Sequence, residues 1–173
     1  PLLFEPFGVD GDTAVDALLR GLARSALPSG LIVCAMRDHP ADEVRRSAEL
    51  ALRWQDRGVV AFDLAGPEAG WPPAVHAEVL GDLRARGMPL TLHAGEADAP
   101  ERVLEAVRLG ARRIGHGVRL VDHLGTPAWA ATLGELRAHS VHLEVCPTSN
   151  VHTGAARDIA THPIRALWRG GVS

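Results

Sequence analysis

No apolar run in the 173 residues approaches the roughly 18–20 that a membrane-spanning helix needs, so a membrane span is not expected. The formal charge of −3 provides no basic face, which argues against a nucleic-acid backbone as partner. Neither GxGxxG nor GxxxxGK[ST] occurs, so there is no phosphate loop to place. Only two cysteines are present, Cys34 and Cys146, each inside an apolar run. Two such thiols are expected to be buried and reduced, in keeping with a cytoplasmic protein rather than a disulfide framework. The PCxxC arrangement of a compact cysteine-ligated zinc site is missing as well. The opening residues Pro1-Leu2-Leu3-Phe4-Glu5 lack the basic region and apolar core of a signal peptide, and without Met position 1 is not taken as a native N-terminus.

What is there is ordinary for a globular chain: 46% hydrophobic and 23% charged residues, enough to bury one sizeable core. Residues 1–173 read as a single domain. Behind a Pro1–Gly11 lead, Asp12 or Thr13 is expected to cap a helix to about Ala26, with Val15, Leu18, Leu19 and Leu22 at helical spacing. Leu31–Met36 is a continuous apolar run, expected as a strand buried on both faces. The alternation continues with helices near 41–56, 73–86, 100–109 and 127–138, and strands near 59–64, 88–92, 111–115 and 141–146. Residues 163–168 read as helix, and Gly170-Gly171-Val172-Ser173 as the start of another strand. Gly58, Gly87 and Gly110 stand at helix-to-strand junctions, where left-handed caps are expected. Strands alternating with helices predict right-handed βαβ units and a parallel sheet. A closed eight-stranded barrel needs roughly 200–250 residues. The expected architecture is therefore α/β, a (β/α)8 barrel lacking its first strand and the end of its last.

The reactive residues sit at the ends of the strand-like runs. One run delivers His93-Ala94-Gly95-Glu96, the next Gly115-His116-Gly117, and the preceding one Asp63-Leu64-Ala65-Gly66. In parallel α/β folds the strand C-termini open onto one face, and chemistry sits there. A neutral imidazole suits zinc, and a carboxylate three residues on can move a proton. Taken alone, His93 and Glu96 also read as a backbone-bonded His and a capping Glu, and Gly-His-Gly as a turn. Asp63 alone reads as a loop-holding residue. The glycines beside His116 are expected to let backbone approach a ligand, and Gly66 to offer its N–H to a planar one. Cys146-Pro147-Thr148-Ser149-Asn150 is expected as a structural loop. The remaining histidines (39, 76, 123, 139, 142, 152 and 162) are expected as surface or capping residues, and the four tryptophans as packing residues.

In this order and spacing, VVAFDLAGPE, TLHAGE, RRIGHGVR and LEVCPTSN, with MRDHP after the 31–36 run, resemble the adenosine deaminase family of zinc-dependent amidohydrolase barrels. The resemblance implies a role for each matching residue. His93 would be a zinc ligand, and Glu96 the proton donor to purine N1. His116 would orient the zinc-activated water that attacks C6, and the Gly66 N–H would meet N3. Ammonia would be expelled from a small-molecule purine nucleoside, adenosine or deoxyadenosine. The family's His-x-His pair and terminal Asp pair have no counterpart, so three of four expected zinc ligands are absent. Zinc binding by the isolated stretch is accordingly expected to be poor. Adenine or an aminofutalosine-type nucleoside remains an alternative substrate, and a non-catalytic barrel binding module an alternative of another class.

Overall fold

The computed structural model describes residues 5–173. Of the expected lead before the first helix, residues 1–4 lie outside the described residues. The elements are α1 (Gly11–Leu22), β1 (Leu31–Met36), α2 (Ala41–Arg53), β2 (Val59–Ala65), α3 (Ala77–Ala85), β3 (Leu90–Ala94), α4 (Glu101–Arg108), β4 (Arg113–His116), α5 (Pro127–Ala138), β5 (His142–Glu144), α6 (Pro147–His152) and α7 (Ile164–Arg169). The five strands form one sheet in the order β1-β2-β3-β4-β5, every neighbouring pair parallel. A doubly wound sheet reverses its order at a switch point; an unbroken sequential order is that of a barrel wall.

Apolar side chains on both faces of the middle strands hold the wall together. Phe62, Leu64, Leu92 and Ile114 are fully buried, each contributing about 1.5–3 kcal/mol by leaving water. Val44, Ala48 and Ala51 of α2, and Val103, Ala106 and Val107 of α4, supply helix faces to the same core. Gly58, Gly87 and Gly110 adopt positive φ (117°, 77° and 113°), the left-handed turns expected before strands.

Several boundaries differ from the sequence expectations. The cap of α1 is Asp10, whose carboxylate accepts the Thr13 N–H at 2.8 Å; Asp12 instead pairs with Arg53 and the Trp54 indole. That helix ends at Leu22, and the chain continues through turns in which Ser25 Oγ accepts the Leu27 N–H. β1 is not buried on both faces: Ile32, Cys34 and Met36 are exposed while Val33 and Ala35 are buried. It is an edge strand bonded on one side only, and nothing described packs over its second face. Cys34 is therefore exposed rather than buried, and so is Cys146, which lies past the short β5 at the N-terminal boundary of α6. Trp54 packs in the core as expected, but Trp71 and Trp168 are 40% and 74% exposed. The strand start expected at Gly170-Gly171-Val172-Ser173 makes a single backbone hydrogen bond to β5, in which the Ser173 carbonyl accepts the Leu143 N–H at 2.9 Å. No helix among the described residues is long and apolar enough to cross a membrane.

Candidate active site at the strand C-termini

Parallel register brings the reactive strand ends level. Asp63 pairs with Thr91, His93 with Gly115, and Ala94 with His116. Gly66, His93, Glu96 and His116 consequently line one cavity of about 320 Å³, together with Arg37, Glu68 and Ala97. All four residues singled out in the sequence meet there. The glycine before His116 serves a different purpose from the one expected. A Cβ on Gly115 would stand 3.0 Å from Cγ and Nδ1 of His93, so the missing side chain makes room for that ring rather than for a ligand. At Gly66, φ is +96° and a Cβ would crowd Asp38 and Met36 at 3.1 Å; the turn needs glycine before any ligand is considered.

His93 is held by Asp63. Its Nδ1 lies 3.0 Å from the buried Asp63 carboxylate, and this hydrogen bond, opposed by burial, raises the imidazole pKa. A carboxylate behind one nitrogen fixes the ring and leaves Nε2 as the ligating atom when the imidazole is neutral. The two imidazoles meet edge to face, ring centroids 5.1 Å apart. His116 is shifted the other way: burial lowers its pKa, so it remains neutral near pH 7. Its backbone is left-handed, φ 69°, a costly conformation for a residue with a Cβ.

Glu96 is fastened from two directions. Its Oε1 accepts from Asn150 Nδ2 at 3.1 Å and from the Thr153 hydroxyl at 2.9 Å, while Oε2 faces His116 Nε2 at 3.5 Å. Its loop is gathered by the buried carboxylate of Glu68, which accepts the N–H groups of Gly95, Glu96 (2.9 Å), Ala97 (2.7 Å) and Asp98 (3.1 Å). Arg37 closes the floor. It is fully buried and donates to the carbonyls of Leu64 (3.0 Å), Ala65 (3.3 Å), Trp71 (3.5 Å) and His93. Strand C-termini present unpaired carbonyl oxygens, and a guanidinium with five donors satisfies several at once.

Five contributors were not identified from the sequence: Arg37, Glu68, Asn150, Thr153 and His162. The expected loop at 147–150 is the helix α6, and its Asn150 is fully buried against Glu96 and His116. His76 and His162, expected as surface or capping residues, are both buried; His76 Nε2 bonds the Arg37 carbonyl at 2.8 Å, while His162 Nε2 bonds Asn150 and its Nδ1 caps the Ile164 N–H at the start of α7. Arg37 and Glu68 carried one available signal, since Arg37 directly follows β1 and Glu68 stands three residues past the end of β2, at strand ends that point at the cavity. Asn150 follows the expected 141–146 strand but is bonded to His116, 34 residues away, and His162 follows no strand.

The parallel wall and its polar cavity define a barrel protein with its reactive groups at the strand C-termini. The adenosine deaminase family model matches residues 1–173. The chain is 44% identical over 177 residues to an adenosine deaminase of Mycobacterium marinum, covering 94% of this chain and 48% of that protein. It superposes on the crystal structure of an adenine deaminase from Arthrobacter aurescens with a TM-score of 0.84 at 26% identity, covering 97% of this chain and 51% of the other. An amidohydrolase from Burkholderia ambifaria, solved with bound Zn, shares the fold at TM-score 0.81 and 22% identity, over 95% and 46% of the two chains. The chain belongs to the adenosine deaminase family. It spans about half the length of the curated relatives it matches.

Proposed function

We propose that the protein carrying this chain hydrolytically deaminates adenosine or deoxyadenosine, releasing ammonia. The observation that carries this reading is the convergence of Gly66, His93, Glu96 and His116 on one cavity. Relatives named adenosine deaminase at 42–44% identity support the nucleoside assignment. The solved adenine deaminase supports adenine as the second reading.

Zinc is the cofactor this reading calls for. The residues present fit one ligand position: His93, its Nδ1 held by Asp63, has Nε2 to give. Among the described residues no group of three His, Cys, Asp or Glu side chains is arranged to hold a metal, so this stretch supplies one ligand and not a whole site. When bound, zinc supplies the acidification of water that makes a nucleophile available near neutral pH. The chain's own residues bind and move protons. Gly66 offers its N–H to purine N3. Glu96 delivers a proton to N1 from Oε2, the oxygen left free while Oε1 accepts from Asn150 and Thr153. His116 orients the attacking water from the side of the cavity shared with Glu96. Two exposed free cysteines suit a cytoplasmic setting.

Turnover of adenosine against adenine by the whole protein, followed by loss of the adenine-ring absorbance, tests the assignment. Faster turnover of adenosine is expected. Much faster adenine turnover would replace the nucleoside by the free base, and no turnover of either with zinc bound would favour a non-catalytic module.

A further inference from the structure

Beyond the cavity wall, a chain of hydrogen bonds runs from the start of α7 to His116, and every link has a determined direction. It begins at the Ile164 backbone N–H, which can only donate, and which lies 3.1 Å from His162 Nδ1. Nδ1 of His162 is therefore the acceptor, and the proton of this ring is on Nε2. Burial lowers the His162 pKa and keeps the ring neutral, in agreement with that assignment. The Nε2–H then donates to Asn150 Oδ1 at 3.2 Å. With its oxygen turned towards His162, the buried Asn150 amide presents its NH2 group on the other side. One hydrogen bond goes to Glu96 Oε1 at 3.1 Å and one to His116 Nδ1 at 2.9 Å. A flipped amide would put its oxygen against the Glu96 carboxylate and its NH2 against the His162 donor, losing both of those bonds.

We infer that Asn150 and His162 are positioning residues that set the tautomer of His116, through a one-way hydrogen-bond relay anchored on the Ile164 N–H. Because Nδ1 of His116 is occupied as an acceptor, the neutral ring carries its proton on Nε2, the nitrogen 3.5 Å from Glu96 Oε2. His116 thus meets the reacting centre as a hydrogen-bond donor in the resting state, not as a ready proton acceptor. The same amide, together with the Thr153 hydroxyl, saturates Glu96 Oε1 and leaves Oε2 to carry the transferable proton. One buried asparagine thereby coordinates the donor direction of both groups. His162, which does not line the cavity, acts only through it. The catalytic consequence rests on the deaminase reading; the tautomer does not.

The test uses the zinc-loaded whole protein, labelled with 15N-histidine, and reads the His116 tautomer from its two-bond and three-bond 1H–15N couplings near pH 7.5. The unsubstituted protein is expected to show the Nε2–H form for both His116 and His162. Asn150→Leu, similar in size and without a donor, is expected to release His116 from the pure Nε2–H form into a mixture of tautomers. Its kcat should fall roughly 10- to 100-fold, the usual range for loss of an orienting partner, with KM little changed. His162→Phe removes the donor to Asn150 and is expected to lower kcat about tenfold; His162→Gln, which restores an N–H at the Nε2 position, should recover most of that loss. Finding His116 as Nδ1–H in the unsubstituted protein would overturn the inference without need of any variant. So would an Asn150→Leu protein that keeps both the Nε2–H tautomer and the parental kcat. A protein that shows the expected tautomers but turns over neither adenosine nor adenine would instead overturn the deaminase reading and leave the relay standing.

Discussion

β3 and β1 run parallel in the same sheet, yet they live in different surroundings. Leu90, Thr91, Leu92 and Ala94 of β3 are all buried, and only His93 at the cavity retains partial access to solvent. On β1 the residues alternate, with Ile32 at 39% and Met36 at 40% exposure on either side of the buried Val33 and Ala35. In sequence β1 is the more apolar of the two, since β3 contains Thr91 and His93. What separates them is neighbours: β3 has β2 and β4 on its flanks, whereas β1 has β2 alone. Position in the wall, rather than strand composition, decides which side chains stabilise the fold. It also bears on the chemistry, because His93 and His116 stand on strands whose backbones are fixed on both sides.

The largest effect is expected at the enclosed end of β3. In the whole protein, Glu96→Gln keeps the shape of the side chain and its hydrogen bonds to Asn150 and Thr153, but cannot release a proton. General acid–base steps supply about 10²–10⁴-fold, so turnover should fall by at least that order while zinc content stays normal. A near-parental rate would remove Glu96 from the role of proton donor. His93→Ala should separate from this variant by lowering zinc occupancy as well as rate.

Next comes the stability contrast itself. Leu92→Ala, at a fully buried position, should destabilise this chain by about 2–5 kcal/mol in urea or guanidinium unfolding. Ile32→Ala on β1, already in contact with solvent, should cost less than about 1 kcal/mol. Equal losses would mean that the open face of β1 is covered in solution, and the comparison of the two strands would fail.

A smaller, sharper test lies on β1 itself. Cys34 is exposed as a residue, but its sulfur sits beside Asp63 on the neighbouring strand, with which it is in register. Desolvation of the sulfur, then the negative charge of Asp63, pushes the thiol up to about 12. The thiolate is the nucleophile, and an ordinary thiol has a pKa of about 8.5. Alkylation by iodoacetamide at pH 8 should therefore be orders of magnitude slower at Cys34 than for a simple thiol, and should still be accelerating as the pH rises past 9. A rate at Cys34 that levels off near pH 9 would show that exposure, rather than the buried carboxylate beside it, governs this thiol.

The sequence by itself determined the order of elements, the parallel class of the sheet and the principal polar residues of the cavity. These follow from local signals: apolar runs of strand length, helical spacing, and glycine where φ must be positive, as at Gly58 and Gly110. Because a parallel strand always presents its C-terminus to the same face, His93, Glu96 and His116 could be gathered without knowing the fold in detail. Tertiary structure alone decided what stands behind them. Asp63 rather than a backbone group orients His93, Glu68 rather than the loop itself gathers four N–H groups, and Asn150 belongs to Glu96 and His116 rather than to its own turn. The same holds for the thiol of Cys34, whose apolar neighbours in sequence suggested burial while the edge position left the residue open. Periodicity reports which face of an element turns inward. A hydrogen bond made across 28, 30 or 54 residues depends on where two elements meet, and that is set by packing the whole wall.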